Sequence, residues 1–414
     1  MRHVHSSESE RALDTSTLKS IADVDVAGKR VLVRADLNVP VADGKVSDAT
    51  RLERILAGLK DLSSRGARVV VISHFGRPKG THNPQMSLAP VAAKLGELLG
   101  QPVTFVPGSI GEEAENAVAR LAPGEIAVLE NLRFHAGEEK NDEGFTAALA
   151  RCGDLYVNDA FSAAHRAHAS TEGLARMLPA YAGPLMLEEI NALQSVLGNP
   201  QRPVAALVGG AKVSSKIPIL KHLLGKVDKL IIGGGMANTF LMSHGVDIGK
   251  SLAEPDFVDT AREIMAEAKA RNCAVVLPED VIIAREFKSG VAHATVPVLA
   301  VPSDALILDV GPGSVAHMAA VLAECRTLLW NGPMGAFEIA PFGEGTFMLA
   351  RAAAKLTKEG SLVTVAGGGD TVAALNAAGV SQDFSYVSTA GGAFLEWLEG
   401  RELPGVAALV RAQA

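Results

Sequence analysis

Arginine and histidine collect in four short segments, RADLNVP (34–40), SHFGRP (73–78), ENLRF (130–134) and NDAFSAAHRAHAS (158–170). They supply Arg34, Asp36, Asn38, His74, Arg77, Arg133, His165, Arg166 and His168. Arg51 follows in DATRLERI (48–55), at the start of a predicted helix. A guanidinium fork binds two oxygens at once, so grouped arginines suit phosphate and carboxylate. A single arginine is ordinarily a solvated side chain. Several at matching places in the chain point to an anion site. Asp36 also reads as a group that holds an arginine in place. His165 and His168 read equally as structural histidines or as ligand contacts.

Glycine carries the second signal. Of the 41 glycines, many fall in GGAKVSSK (209–216), GGGM (233–236), GPGS (311–314), NGPMGAFE (331–338), GGGDT (367–371) and AGGA (390–393). Such a turn, opening a helix, can present N–H groups and the positive helix end to a phosphate. Tight packing explains such turns as well. GGGDT adds Asp370, an oxygen ligand suited to Mg²⁺. GGAKVSSK adds Lys212 and Lys216, which share a face if a helix begins there. GVDIGKS (245–251) falls one residue short of a P-loop and follows a helix-like stretch, so it is rejected. No GxGxxG occurs, which counts against a nicotinamide-dependent dehydrogenase. A non-catalytic phosphate-binding module would keep the glycine turns without needing Lys212, Arg51 and Asp370 together.

These segments follow short apolar runs, among them KRVLVRADL (29–37), ARVVVISH (67–74), CAVVLPED (273–280), ALILDVG (305–311) and SLVTVAGGG (361–369). The runs are continuously apolar, as strands buried on both faces are. Longer helix-periodic stretches separate them, so open parallel sheets are expected throughout, with ligands at the strands' carboxyl ends. A length of 414 residues favours two domains. The helix signal in GPLMLEEINALQSVLGNP (183–200), with Met186, Ile190, Leu193 and Leu197 on one stripe, marks a connector. The formal charge of −7 argues against nucleic acid, and no apolar run is long enough to span a membrane. Three scattered cysteines give neither a disulfide framework nor a zinc site. The first 14 residues carry no secretory signal and read as a disordered tail. Arginines in one half, with glycine turns, lysines and a carboxylate in the other, point to phosphoryl transfer.

In RADLNVP, SHFGRP, ENLRF, AFSAAHRAHAS, GGAKVSSKI, WNGPMGAFE and GGGDT, in that order, the sequence resembles the phosphoglycerate kinase family. The resemblance implies an α/β fold of two Rossmann-like open parallel-sheet domains, each a three-layer αβα sandwich. Residues 1–184 would bind 3-phosphoglycerate, 185–200 would form a hinge helix, and 201–393 would bind nucleotide. Residues 394–414 would return to the first domain. The implied reaction is Mg-ATP plus 3-phosphoglycerate giving ADP plus 1,3-bisphosphoglycerate, in a cytoplasmic glycolytic monomer.

By position, the resemblance assigns Asp36, Asn38, Arg51, His74, Phe75, Gly76, Arg77, Arg133 and Arg166 to 3-phosphoglycerate. Arg51 and Lys212 would neutralise the phosphoryl in transit. Lys216, Gly234, Gly235, Leu308, Asn331, Pro333, Glu338, Gly368, Gly369, Asp370 and Thr371 would serve the nucleotide, with Asp370 on Mg²⁺. Phe75 stands where leucine is common, and Ala390 in STAGGA (388–393) where glycine is common. Neither departure touches a charged group.

Overall fold

A computed structural model describes residues 15–412. The tail read from residues 1–14 lies outside that range. The chain forms two compact units. The first extends to Ile190 and resumes at Glu402; the second is Asn191–Arg401.

The first unit is built on a parallel sheet of β1 (Arg30–Arg34), β4 (Arg68–Ile72), β5 (Val103–Val106), β6 (Ile126–Leu129), β7 (Leu155–Asn158) and β8 (Ala180–Ala182). A small hairpin, β2 (Val41–Ala42) and β3 (Lys45–Val46), lies outside it. The strand order is β5-β6-β4-β1-β7-β8. Val31, Leu32, Val69, Val70 and Val71 are buried, as strands covered by helices on both faces require. The order reverses direction between β1 and β7, and a crevice opens at such a point.

The second unit repeats the plan with β9 (Val204–Val208), β10 (Lys229–Ile232), β11 (Ala274–Val276), β15 (Thr327–Asn331), β16 (Val363–Gly367) and β17 (Tyr386–Ser388), in the order β11-β10-β9-β15-β16-β17. The expectation of parallel sheets throughout fails at the antiparallel β2–β3 hairpin of the first unit and at one place in the second. β12 (Asp280–Ala284), β13 (His293–Pro297) and β14 (Leu306–Val310) make a separate antiparallel sheet. The run 305–311 therefore belongs to that sheet. The link from β12 to β13 is too short for a helical crossover, so the chain must double back.

The helix Pro184–Leu197 runs across the division between the units. It opens on proline, and Asp159 Oδ1 accepts the N–H groups of Leu185 (2.7 Å) and Met186 (3.1 Å) in its first turn. Met186, Ile190, Leu193 and Leu197 are all buried. The chain resumes in the first unit at 402, later than the expected 394. Phe394 is the reason: it is fully buried, and its ring lies against Gly367 at the end of β16. Only the last helix, Pro404–Arg411, joins the first unit, where Gly405 N donates to Ala164 O at 2.8 Å. Among the described residues, no helix is long and apolar enough to cross a membrane.

Candidate active site

In the first unit, β6, β4, β1 and β7 are neighbours, and their carboxyl ends carry the four arginine-rich segments. Asn131 fixes two of them together. Its Oδ1 accepts from Phe75 N (3.0 Å) and Arg133 N (3.1 Å), and its Nδ2 donates to Phe75 O (2.7 Å) and Met86 O (2.9 Å). Arg133 is buried and donates to Gly76 O at 2.8 Å, while Gly76 N donates to Asn38 Oδ1 at 3.0 Å. Asp36 receives Ser162 Oγ (2.7 Å), Arg51 Nη1 (3.1 Å) and Asn38 N (3.1 Å). It joins β1 to the segment after β7 and holds the exposed Arg51 in place. Arg77 is exposed.

Arg34, read as part of the rim, is 1% exposed. It donates to Ser170 Oγ (2.9 Å), Ala35 O (2.5 Å) and His74 Nδ1 (2.9 Å). Ser170 in turn donates to the buried Glu138 through Oγ (2.5 Å) and N (3.0 Å). Arg34 thus supports the rim from beneath. Burial drives the His74 imidazole far below its usual pKa, and Arg34, Arg133, Arg166 and His168 push the same way. Burial and the neighbouring arginines lower His168 to about 4. Its Nδ1 lies 3.9 Å from Glu138, beyond hydrogen-bond reach. Both rings are neutral near pH 7, so the positive charge of the rim comes from arginine. His165 Nε2 accepts from Arg166 Nε at 3.1 Å. Burial lowers the Arg133 guanidinium, with repulsion from Arg166 adding to it. Cations crowded together in this way attract an anion.

In the second unit the carboxyl ends of β9, β10, β15 and β16 border a cavity of about 350 Å³. Of the expected nucleotide residues, Gly234, Gly235, Leu308, Pro333, Glu338 and Asp370 line it. Lys216, Asn331, Gly368, Gly369 and Thr371 do not line it. Asn331 is buried between them: its Oδ1 accepts from Lys216 Nζ and its Nδ2 donates to Gly367 O at 2.7 Å. Thr371 Oγ1 accepts from Gly332 N at 2.7 Å. These two residues fasten the glycine turns to one another. Burial lowers the Lys216 ammonium, and Asp370 opposes that shift. The condition for the two lysines to share a helix face is not met, because the helix begins only at Ile217. Lys212 therefore sits in a turn and is exposed.

Much of the glycine serves packing between turns. A Cβ on Gly209 would lie 2.0 Å from Pro333 O, and one on Gly234 2.6 Å from Gly210 O. Gly234 N donates to Met334 O at 2.9 Å, so it is not a free phosphate donor. The turn at 367–371 differs, because Asp370 lies exposed in the first turn of the helix Gly369–Ala378. Wall residues missed in the sequence include Asn238, Val281, Leu252 (52% exposed) and Phe287 (60% exposed), the last two being the large exposed ones. Leu252 and Phe287 lie in loops, and large apolar side chains held at a surface are the only clue they offer.

The phosphoglycerate kinase family profile matches residues 21–401. The phosphoglycerate kinase of Sinorhizobium fredii is 60% identical over 391 residues, covering 94% of this chain and 98% of that one. The phosphoglycerate kinase of Methylorubrum extorquens strain PA1 is 61% identical, covering 93% and 96%. Among solved structures, phosphoglycerate kinase from Coxiella burnetii superposes with a TM-score of 0.90 at 42% identity, covering 96% of this chain and all (100%) of that one. The enzyme from Pyrococcus horikoshii OT3 gives 0.79 at 30% identity, covering 96% and 99%. With the family profile spanning residues 21–401 and relatives about 60% identical over nearly the whole chain, this chain belongs to the phosphoglycerate kinase family.

Proposed function

We propose that the chain moves a phosphoryl group directly, in line, between Mg-ATP and the carboxylate of 3-phosphoglycerate, giving 1,3-bisphosphoglycerate and ADP. The acceptor is already ionised at neutral pH, so no general base is required. One observation carries this reading. The Asp36 carboxylate at the rim is committed to Arg51, Ser162 and Asn38. The rim thus offers arginines and a neutral imidazole.

In this reading Arg77, Arg133, Arg166, His74 and Asn38 hold 3-phosphoglycerate, and the Phe75–Gly76 backbone, itself bonded to Asn131, Asn38 and Arg133, shapes that site. Asp36 aims Arg51, and Arg51 and Lys212 neutralise charge on the group in transit. Glu338 takes the ribose; Gly234, Gly235, Leu308 and Pro333 take the base; Lys216, Gly368, Gly369 and Thr371 shape the phosphate end. Asp370 holds Mg²⁺. What supports this is Asp370 itself, an exposed carboxylate that lines the cavity from the first turn of the helix Gly369–Ala378. Mg²⁺ accepts a single carboxylate when phosphate oxygens and waters complete its shell. When bound, it neutralises charge on the phosphates. Because the two sites belong to different units, transfer requires those units to close about the Pro184–Leu197 helix.

A coupled assay with ATP and 3-phosphoglycerate tests the reaction. Turnover is expected, with large losses in Arg51→Ala and Lys212→Ala; absence of turnover sinks the reading. ATP made chiral at its γ-phosphorus tests the direct step. Inversion is expected, and retention would mean a phosphoenzyme. Small-angle scattering tests closure, since no compaction with both substrates bound would contradict it.

A further inference from the structure

The turn at 211–216 carries Lys212 outside any helix, so something else must hold that lysine in place. Ser214 supplies the contact. Its N–H donates to Glu254 Oε2 at 2.9 Å and its Oγ donates to Glu254 Oε1 at 2.6 Å. Both oxygens of one carboxylate are thus committed to one residue, two positions from Lys212. Glu254 is itself anchored. Its N–H donates to the buried Thr239 Oγ1 at 3.0 Å, and the neighbouring Asn238 Nδ2 donates to Leu252 O at 2.9 Å. Thr239 and Asn238 lie on the helix Gly235–Ser243, which begins at the glycine turn of the cavity. Leu252 and Asn238 line that cavity. A continuous series of bonds therefore runs from the cavity wall, through 252–254, to the lysine turn.

We infer that Glu254 is a positioning residue that sets the Lys212 turn and ties it to the nucleotide cavity wall. This rests on the reading of Lys212 as the group that neutralises the phosphoryl in transit. A carboxylate that grips the turn at two points restricts it more than a neutral acceptor does. Desolvation raises the Glu254 carboxyl, but the bonds from Ser214 and the charge of Lys212 outweigh it and hold the group ionised. Lys212 then acts from a fixed turn although its own side chain is exposed, and a displacement of about 1 Å there is enough to slow transfer by about a hundredfold.

The test measures kcat, KM for ATP and nucleotide binding for Glu254→Ala, Glu254→Gln, Ser214→Ala, Lys212→Ala and the double variant Glu254→Ala/Lys212→Ala. In Glu254→Ala, kcat is expected to fall about ten- to a hundredfold while KM for ATP and ADP affinity stay within about twofold. Glu254→Gln loses the acceptor for one of the two bonds and falls between; it carries the test if the alanine variant does not fold. Ser214→Ala keeps the backbone bond and falls less than Glu254→Ala. In the Lys212→Ala background, removing Glu254 is expected to cost nothing further, because both act through one group. Additive losses overturn the inference, as does a normal kcat in Glu254→Ala or Glu254→Gln, or a fall that only follows the lost folded fraction. The underlying reading fails separately: Lys212→Ala then turns over normally.

Discussion

Arg34 Nη2 lies 2.9 Å from His74 Nδ1, and this pair fixes the state of the imidazole. A guanidinium can only donate, so Nδ1 must accept. The proton of neutral His74 then sits on Nε2, which can donate to a ligand oxygen. Ring ¹⁵N shifts are expected to show one neutral tautomer from about pH 5 to about pH 9, with no titration between. A titration in that interval would contradict the assignment. Arg34→Met removes the donor to Ser170, Ala35 and His74 and leaves the buried Ala35 carbonyl and His74 nitrogen without that partner. It is expected to lower stability by about 1–3 kcal/mol in urea unfolding.

Asp309 gives the fold a pH dependence. It is buried, its Oδ2 accepts Gly345 N at 2.8 Å, and burial raises its carboxyl from 3.8 to about 7. Between those values the unfolded chain is ionised and the folded chain protonated at this site. Its contribution to stability is therefore lost as pH rises through that window, by up to about 1.4 kcal/mol per unit, and is level above it. Asp309→Asn abolishes this part of the slope. Denaturant unfolding of both proteins at about pH 5 and about pH 7 is expected to show the difference moving in favour of the variant at the higher pH. A constant difference would refute the raised carboxyl.

Gly234 and Gly379 share a positive φ, +69° and +73°, but Gly379 is left-handed helical with ψ of +27° while Gly234 is extended with ψ of −168°, a region open essentially to glycine alone. They differ in surroundings: a Cβ at 234 meets Gly210 O at 2.6 Å, while nothing lies within 4 Å at 379. Gly379→Ala is expected to cost about 1 kcal/mol, from backbone strain alone. Gly234→Ala adds the greater strain of its glycine-only backbone and overpacking of about 1–3 kcal/mol, and it moves a wall of the cavity, so ADP affinity falls too. Thermal unfolding and ADP titration of the two variants separate these effects. Equal costs would mean that the turns can part freely.

The two parallel sheets were legible because their strands are apolar on both faces, as Val69–Ile72 and Val204–Val208 are. The strand β13 was not: His293–Pro297 is largely exposed and has no apolar run to read. Strand-end position found the arginine rim and Asp370. It could not show that Arg34 is buried while Arg51 is exposed, since both follow from tertiary packing. Nor did a lysine-bearing turn reveal what holds it, because Glu254 lies 40 positions from Ser214. The glycine turns were visible, but the reason for several of them is contact with another turn distant in sequence.

The helix Pro404–Arg411 has a consequence for biosynthesis. Its Gly405 N–H bonds Ala164 O, immediately before His165 and Arg166. On a ribosome, all of Asn191–Arg401 is made before this helix exists. The unit translated first is thus the one completed last, and the segment bearing Arg166 waits for the end of the chain. A message cut short just after codon 401 would yield a finished second unit and an unfinished first one.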